Sequence, residues 1–228
     1  MPASTPRAVL WDLDGTLVDS AEHHWIAWRD VMSQEGHPVT HGAFTSTFGH
    51  RNDAILRALL GHDLSDEEMD RISGAKEALY RRFVSERGLT ALPGALGWIE
   101  RLKEDGWRQA IASSAPAANI QAAVEAVEVA AFFEALVSAD EVGAGKPDPA
   151  VFLAAAARLG VPPARCVVVE DAPSGLEAAR RAGMPSIGVL SPHHRALVAD
   201  LVVATLEELP PRAFDALIEE RGRRLTIP

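Results

Sequence analysis

Two aspartates spaced one residue apart, Asp12 and Asp14, close the apolar run Val9-Leu10-Trp11 and lead straight into Gly15. A carboxylate without a partner is costly to bury, and two close together repel one another as well. A cation or a reaction is the usual reason to tolerate such a pair. A surface Asp-Leu-Asp-Gly turn is the plain alternative, because Asp and Gly both favour turns. Three further polar positions also follow strand-like runs. Ser113 comes after 109–112, where it could donate a hydrogen bond to an anion or cap the helix beginning near Pro116. Lys146 lies in the loop Gly143-Ala144-Gly145-Lys146-Pro147-Asp148-Pro149. Facing inward, its ammonium is a fixed positive point for phosphate or a buried carboxylate; facing outward, it is an ordinary solvated charge. Glu170 and Asp171 follow Val167-Val168-Val169 and repeat the logic of the first pair. Their alternative is a solvated acidic turn with Asp171 or Ser174 as a helix cap. Hard carboxylate oxygens from two strand ends suit Mg2+. Converging, these groups can carry out phosphoryl transfer: a carboxylate attacks phosphorus, a metal and a lysine offset charge, and an acid protonates the leaving oxygen.

Such groups converge only if their strands end side by side. Strand-like runs occur at Ala8–Trp11, 109–112, 136–138, 167–169, Ser186–Val189 and Leu201–Val203. Several are continuous apolar runs without alternation, as parallel strands covered on both faces require. Helical spacing lies between most of them, at 95–104, 117–127, 149–159, 175–182 and 213–223. The alternation predicts a doubly wound α/β parallel sheet, whose ligands sit beyond the carboxyl ends of the strands. One connection breaks the rhythm. From 19 to 89 only helical spacing is found, at 21–35, 43–48, 53–60 and 66–86. A crossover needs only about a dozen residues, so this stretch predicts an inserted helical cap. The expected division is a core of 1–17 and 92–228 and a cap of 18–91, joined by linkers at 17–20 and 90–94 that hinge a lid over the Asp12/Asp14 turn.

Composition narrows the partners. The chain has 228 residues, 47% hydrophobic and 24% charged, with a net charge of −10. That balance fits a globular protein and argues against nucleic acid as a partner, while leaving room for a locally basic pocket. No run is apolar and long enough for a membrane span, and no apolar signal-like region opens the sequence, so a cytoplasmic protein without a membrane partner is expected. Cys166 stands alone beside the Val167 run. It reads as a small buried residue; an internal disulfide and a cysteine zinc site are both excluded, which suits a reducing compartment. No glycine-rich phosphate loop follows a strand, which disfavours an ATP-using kinase.

With its four sites in this order, nearly the whole chain resembles the haloacid dehalogenase-like hydrolase superfamily, in the branch of β-phosphoglucomutase and sugar-phosphate phosphatases with a helical cap. Asp12-Leu13-Asp14-Gly15-Thr16-Leu17 matches the first motif, Ser113 the second, Gly145-Lys146-Pro147-Asp148-Pro149 the third and Glu170-Asp171 the fourth. The resemblance implies a Rossmannoid core with Asp12 as the nucleophile that becomes an aspartyl phosphate. Asp14 would protonate the leaving group and then activate water. Ser113 and Lys146 would hold the phosphoryl group. Mg2+ would be bound by Asp12, the backbone carbonyl of Asp14, Glu170 and Asp171. An aspartate at position 14 and a Mg2+ site argue against a dehalogenase.

The lid should carry specificity. Ser20, His24 and Trp28 share one helix face, and Asp19-Ser20, His24 and Ala27-Trp28 match a pattern of the family. His24 is a substrate candidate, Trp28 reads as core, and His23 as the solvent-side neighbour. In Phe48-Gly49-His50-Arg51-Asn52-Asp53 the glycine permits close backbone approach. Arg51 and Asn52 are candidates for binding phosphate or sugar hydroxyls, the alternative being a helix-start turn capped by Asn52 or Asp53. Lys76 and Tyr80, four apart, match a Lys and Tyr pair of related caps whose lysine faces substrate; a solvated lysine beside a core tyrosine is the competing view. The segment 49–52 resembles the phosphatase version, being shorter than the mutase loop. The expected activity is Mg2+-dependent hydrolysis of a small phosphorylated metabolite, a sugar or polyol phosphate, by a monomer or weak homodimer. A β-phosphoglucomutase-type mutase is the alternative, and a non-catalytic phosphate- or Mg2+-binding regulator a second.

Overall fold

In the computed structural model, which describes residues 5–61 and 64–225, the strand β1 (Ala8–Trp11) is buried along its whole length. Ala8 and Leu10 join one core cluster, Val9 and Trp11 the other, as the period of two along a strand requires. With both faces covered, no polar residue is left to alternate, which explains the unbroken apolar run. Then come β2 (Val18–Asp19), α1 (Ala21–Gln34), α2 (His41–Thr45), α3 (Asn52–Leu60), α4 (Asp66–Arg87) and β3 (Thr90–Ala91). The chain continues through α5 (Ala95–Glu104), β4 (Arg108–Ala112), α6 (Ala117–Ala126), β5 (Ala135–Val137), α7 (Ala150–Leu159), β6 (Cys166–Glu170), α8 (Pro173–Arg181), β7 (Ser186–Val189), β8 (Leu201–Val203) and α9 (Ala213–Leu225). Positions 1 and 228, the outer limits of the expected core, lie outside the described residues.

Six strands form one parallel sheet in the order β5-β4-β1-β6-β7-β8. Trp11 is level with Ile111 of β4 on one side and Val169 of β6 on the other. The register therefore brings the carboxyl ends of β1, β4 and β6 together. After β5 the chain crosses back over β1 to begin β6, and this reversal opens the crevice in which α/β sheets bind ligands. One buried polar residue is accounted for inside the sheet: Gln109 accepts from Trp11 Nε1 at 3.0 Å and donates to the Ile99 carbonyl at 2.8 Å. Both of its polar ends are thus satisfied, as burial demands.

The helices α1 to α4 cover the carboxyl ends of the strands. Trp28, Met32, Phe44, Leu56 and Ile72 pack into a cluster of their own. A second cluster, Ala27, Tyr80, Phe83 and Val84, rests against Ala122 of α6. α4 begins at a capping box in which Ser65 and Glu68 satisfy each other's backbone amides. Two features depart from the expected pattern. The linkers pair as an antiparallel ribbon, Val18 opposite Ala91 and Asp19 opposite Thr90; two residues per strand are too few to leave a periodic signal. The short cap helix lies at His41–Thr45 instead of 43–48, because Thr40 Oγ1 accepts from Ala43 N at 3.2 Å and starts it earlier. Among the described residues no helix is long and apolar enough to cross a membrane.

Candidate active site

Asp12 directly follows β1 and is fixed to β6 by its backbone amide, which donates to Val169 O at 2.9 Å. Lys146 reaches it from the loop between β5 and α7: its Nζ lies 2.5 Å from Asp12 Oδ1 and 2.8 Å from Glu170 Oε1. The remaining oxygen of Glu170 accepts from Ala172 N at 2.6 Å. Asp171 Oδ1 lies 3.4 Å from Thr16 Oγ1, while Asp171 Oδ2 is buried without a hydrogen-bond partner. Oxygens of Asp12, Glu170 and Asp171 come within 4.8 Å of one another. Two glycines make room for this cluster. A Cβ on Gly15, which has φ +86°, would stand 2.6 Å from Asp171 Oδ2, and one on Gly175 would stand 1.7 Å from Glu170 Oε1.

The electrostatics leave the cluster short of positive charge. Burial, then the neighbouring Glu170 and Asp14, push the Asp12 carboxyl up to about 7 against the pull of Lys146. Burial, with Glu170 and Asp12 beside it, holds Asp171 well above the usual carboxylate range. Burial would lower Lys146, but Asp12 and Glu170 outweigh it and keep the ammonium charged. One ammonium faces three carboxylates, and one carboxylate oxygen has no partner. A hard divalent cation fits this donor set. Asp12 and Asp171 would supply ligands; Glu170, whose two oxygens already accept hydrogen bonds, would chiefly supply charge.

Asp14 belongs to a different environment. Its side chain lies outside the three-carboxylate group: Ser20 Oγ donates to Asp14 Oδ1 at 2.5 Å, and His24 Nε2 lies 3.2 Å from the same oxygen. Lys76 Nζ, a donor only, sits 2.9 Å from His24 Nδ1, so Nδ1 accepts and Nε2 carries the proton toward Asp14. Burial raises Asp14, but His24, Ser20 and Lys76 together hold it below its usual range. The chain of contacts continues. Lys76 also donates to Glu77 Oε1 at 2.9 Å, Asn52 donates to that oxygen at 2.7 Å, and Asn119 of α6 donates to Glu77 Oε2. Tyr80 stacks on the His24 ring at 4.0 Å.

A cleft between cap and core is lined by Asp12, Asp14, His24, Asn52, Lys76 and Ser113, together with Trp28, Phe44, Phe48, His50 and Glu77. Six of the residues singled out in the sequence therefore share one space. Lys146, Glu170 and Asp171 adjoin it through Asp12, which Lys146 contacts and whose oxygens cluster with those of Glu170 and Asp171. Ser113 accepts from Ala115 N at 3.0 Å, and the helix α6 is started by Pro116 without a side-chain cap. The helix-cap alternative for Ser113 therefore fails, and its hydroxyl proton remains available to the cleft. Arg51 does not enter the cleft; its guanidinium donates to the carbonyls of Ala139 and Val142. Asn52 lines the cleft with its amide committed to Glu77. His23 is half-buried rather than solvent-side. Glu77, Asn119 and His50 were not among the expected residues. Adjacency to Lys76 on one helix was the only sequence signal for Glu77, and none marked Asn119.

A sequence model of the family described as haloacid dehalogenase-like hydrolase matches residues 6–183 of this chain. The β-phosphoglucomutase of Bacillus subtilis is 31% identical over 230 residues, covering 97% of this chain and 100% of that protein. Hexitol phosphatase A of Escherichia coli is 33% identical over 208 residues, covering 89% and 93%. Among solved structures, β-phosphoglucomutase from Clostridium difficile superposes with a TM-score of 0.86 at 26% identity, covering 96% of this chain and 100% of that one.

Proposed function

Because this chain belongs to the haloacid dehalogenase-like hydrolase family, and is an enzyme of its phosphatase class, we propose that it hydrolyses a small sugar or polyol monophosphate, with Mg2+, through phosphorylation of Asp12. The observation that carries the reading is the division of labour between two aspartates at one strand end. Asp12 faces Lys146 and the acidic cluster; Asp14 faces Ser20 and His24 across the cleft. Asp12 attacks phosphorus, and the bond from phosphorus to the sugar oxygen breaks. Asp14 gives that oxygen its proton. Asp14 then takes a proton from water, whose oxygen displaces Asp12 from phosphorus and releases phosphate. As it stands, with His24 and Ser20 donating to it, Asp14 is an anion ready for the second step. A dianionic phosphate beside it raises its pKa and favours proton uptake for the first. Ser113 and Lys146 hold the phosphoryl oxygens. A Mg2+ ion at Asp12 and Asp171 would neutralise charge on the transferring group.

Hydrolysis is favoured over mutase chemistry by the cations available. Among the described residues lining the cleft, the basic side chains are His24, His50 and Lys76. The Lys76 ammonium is paired with Glu77, and the Arg51 guanidinium is engaged elsewhere. Among the described residues lining the cleft a bisphosphate would find no unpaired lysine or arginine for its second phosphoryl group, whereas Glu77, Asn52 and Ser114 suit neutral hydroxyls. The mutase stays the second reading because the Bacillus subtilis relative bears that name over its whole length. A cytoplasmic setting accords with a chain of one cysteine. The test is a panel of hexose, hexitol and pentose monophosphates, with glucose 1-phosphate plus a trace of glucose 1,6-bisphosphate. Free phosphate released from a monophosphate, and lost on chelation, is the expected result. Glucose 6-phosphate as product would install the mutase, and no turnover with any divalent ion would remove both.

Metal linkage provides an independent check. The native state holds a proton on Asp12 that the unfolded chain has shed between about pH 3.8 and about 7. Metal-free stability contributed by this group therefore falls as pH rises through that window. Metal binding must expel the same proton, so affinity falls as pH drops below about 7. Mg2+ should accordingly raise the melting temperature more at about pH 8 than at about pH 5. Equal shifts at both would contradict a metal site built on Asp12.

A further inference from the structure

One short segment of the cap, 48–51, touches two of the catalytic loops. Phe48 packs against the His193 ring at 5.1 Å. A Cβ on Gly49 would fall 3.5 Å from Ala172 Cβ, so its backbone lies against the residue whose amide holds Glu170. Arg51, the residue before α3, crosses to the other side. Its Nη1 donates to Ala139 O at 3.1 Å and Val142 O at 3.3 Å. Its stem lies over Gly145 so closely that a Cβ there would fall 2.5 Å from Arg51 Cδ. The residue after Gly145 is Lys146, whose ammonium spans Asp12 and Glu170.

We propose that Arg51 is a positioning residue that carries cap closure to Lys146: the cap grips the loop from Ala139 to Gly145 through this one side chain and seats the ammonium against Asp12. The proposal rests on the phosphatase reading for its kinetic consequence, but not for the contact itself. A lysine held by a loop needs that loop still, because a misplacement of about 1 Å at a reacting centre costs about 10²-fold in rate. The main-chain carbonyls of Ala139 and Val142 accept from Arg51 only when the cap is down. Lys146 is therefore fully placed in the closed form, when the cleft is sealed from water, and held less firmly when the cap lifts. The guanidinium suits this work because its planar fork offers two or more fixed donors at once. The same engagement withdraws it from substrate.

The test uses Arg51→Ala and Arg51→Lys in the full chain, with Arg82→Ala as control, since Arg82 pairs with Glu86 on the exposed surface of α4. Turnover is measured on the best sugar or polyol phosphate and on p-nitrophenyl phosphate, and amide hydrogen exchange is followed across 139–146. Arg51→Ala should lower kcat by about 10- to 100-fold on both substrates, with KM within about twofold. The 139–146 amides should exchange about tenfold faster. Arg51→Lys should recover part of both effects, and Arg82→Ala should change neither. A rise in KM confined to the sugar phosphate, with exchange unchanged, would make Arg51 a substrate contact and overturn the proposal. Unchanged kcat with unchanged exchange would also overturn it. If the parent protein releases no phosphate, faster exchange in Arg51→Ala still establishes the grip on the Lys146 loop, and only the phosphatase reading falls.

Discussion

Asp12→Asn is expected to lower phosphate release by roughly 10⁵- to 10⁶-fold, the scale of losing a covalent nucleophile, while leaving the metal-free protein at about pH 8 no less stable than the parent. The two effects share one cause. Asp12 is buried among carboxylates, and burial with Glu170 and Asp14 nearby pushes it up to about 7. Its charged form is tolerated only because Lys146 stands 2.5 Å away. An amide of the same shape relieves that repulsion, still accepts from Lys146, and cannot attack phosphorus. Lys146 retains Glu170 as a partner. The measurements are initial rates, melting temperature in chelator, and the mass of enzyme quenched during turnover. The parent should carry a phosphoryl adduct on the peptide containing Asp12, and the variant none. Activity within tenfold of the parent, or an adduct on another residue, would displace Asp12 as nucleophile.

The residues of this centre were legible because strand ends are local features. An apolar run, a turn residue and a polar side chain can be read within about ten positions, and the parallel sheet follows from alternation. Asp12, Ser113, Lys146 and Glu170-Asp171 were all found this way, and the fold then brought them together. The cap was less legible, because its side chains serve partners distant in sequence. Arg51 and Asn52 have the residue types of substrate ligands, yet one finds carbonyls at Ala139 and Val142 and the other finds Glu77. A donor's choice among acceptors 25 to 91 positions away is settled by how the cap docks, which no local pattern encodes. Asn119 shows the same limit: nothing around it in α6 marks it as the core's contact with Glu77.

The cap and core are therefore joined by polar contacts on either side of the cleft. On one side Asp14, His24, Lys76, Glu77 and Asn119 form a continuous chain of contacts from catalytic turn to cap to α6. On the other, Arg51 meets the loop of Lys146. Each aspartate of the first motif has its environment completed by the lid: Asp14 directly through Ser20 and His24, Asp12 through the loop that Arg51 grips. On the proposed role of Arg51, closure would assemble the site as well as exclude water.

Lys146→Met isolates what the ammonium contributes, because methionine keeps an unbranched stem beside Phe152, over whose ring Nζ now sits at 4.9 Å. Rate should fall by about 10³-fold, comparable with losing a principal donor to a developing oxyanion. Stability in chelator at about pH 8 should fall by about 3–5 kcal/mol, since removing one partner leaves buried carboxylates uncompensated. The pH dependence of that deficit can be signed. The folded-state pKa of Lys146 is raised, so its stabilising charge is fully present below the ordinary lysine value of 10.5 and is lost only as pH rises beyond it. Between about pH 5 and 8 the lysine stays charged, and the carboxylates change instead. Below about 7 Asp12 takes up a proton and needs the ammonium less, so the deficit should shrink on acidification. Mg2+ should restore much of the stability at about pH 8 by supplying the missing positive charge. It should not restore turnover, because a metal at Asp12 and Asp171 does not occupy the ammonium's place between Asp12 and Glu170. Recovery of both by Mg2+ would reduce Lys146 to a counter-charge with no hold on the phosphoryl group. Recovery of neither would mean that the cluster takes no divalent ion.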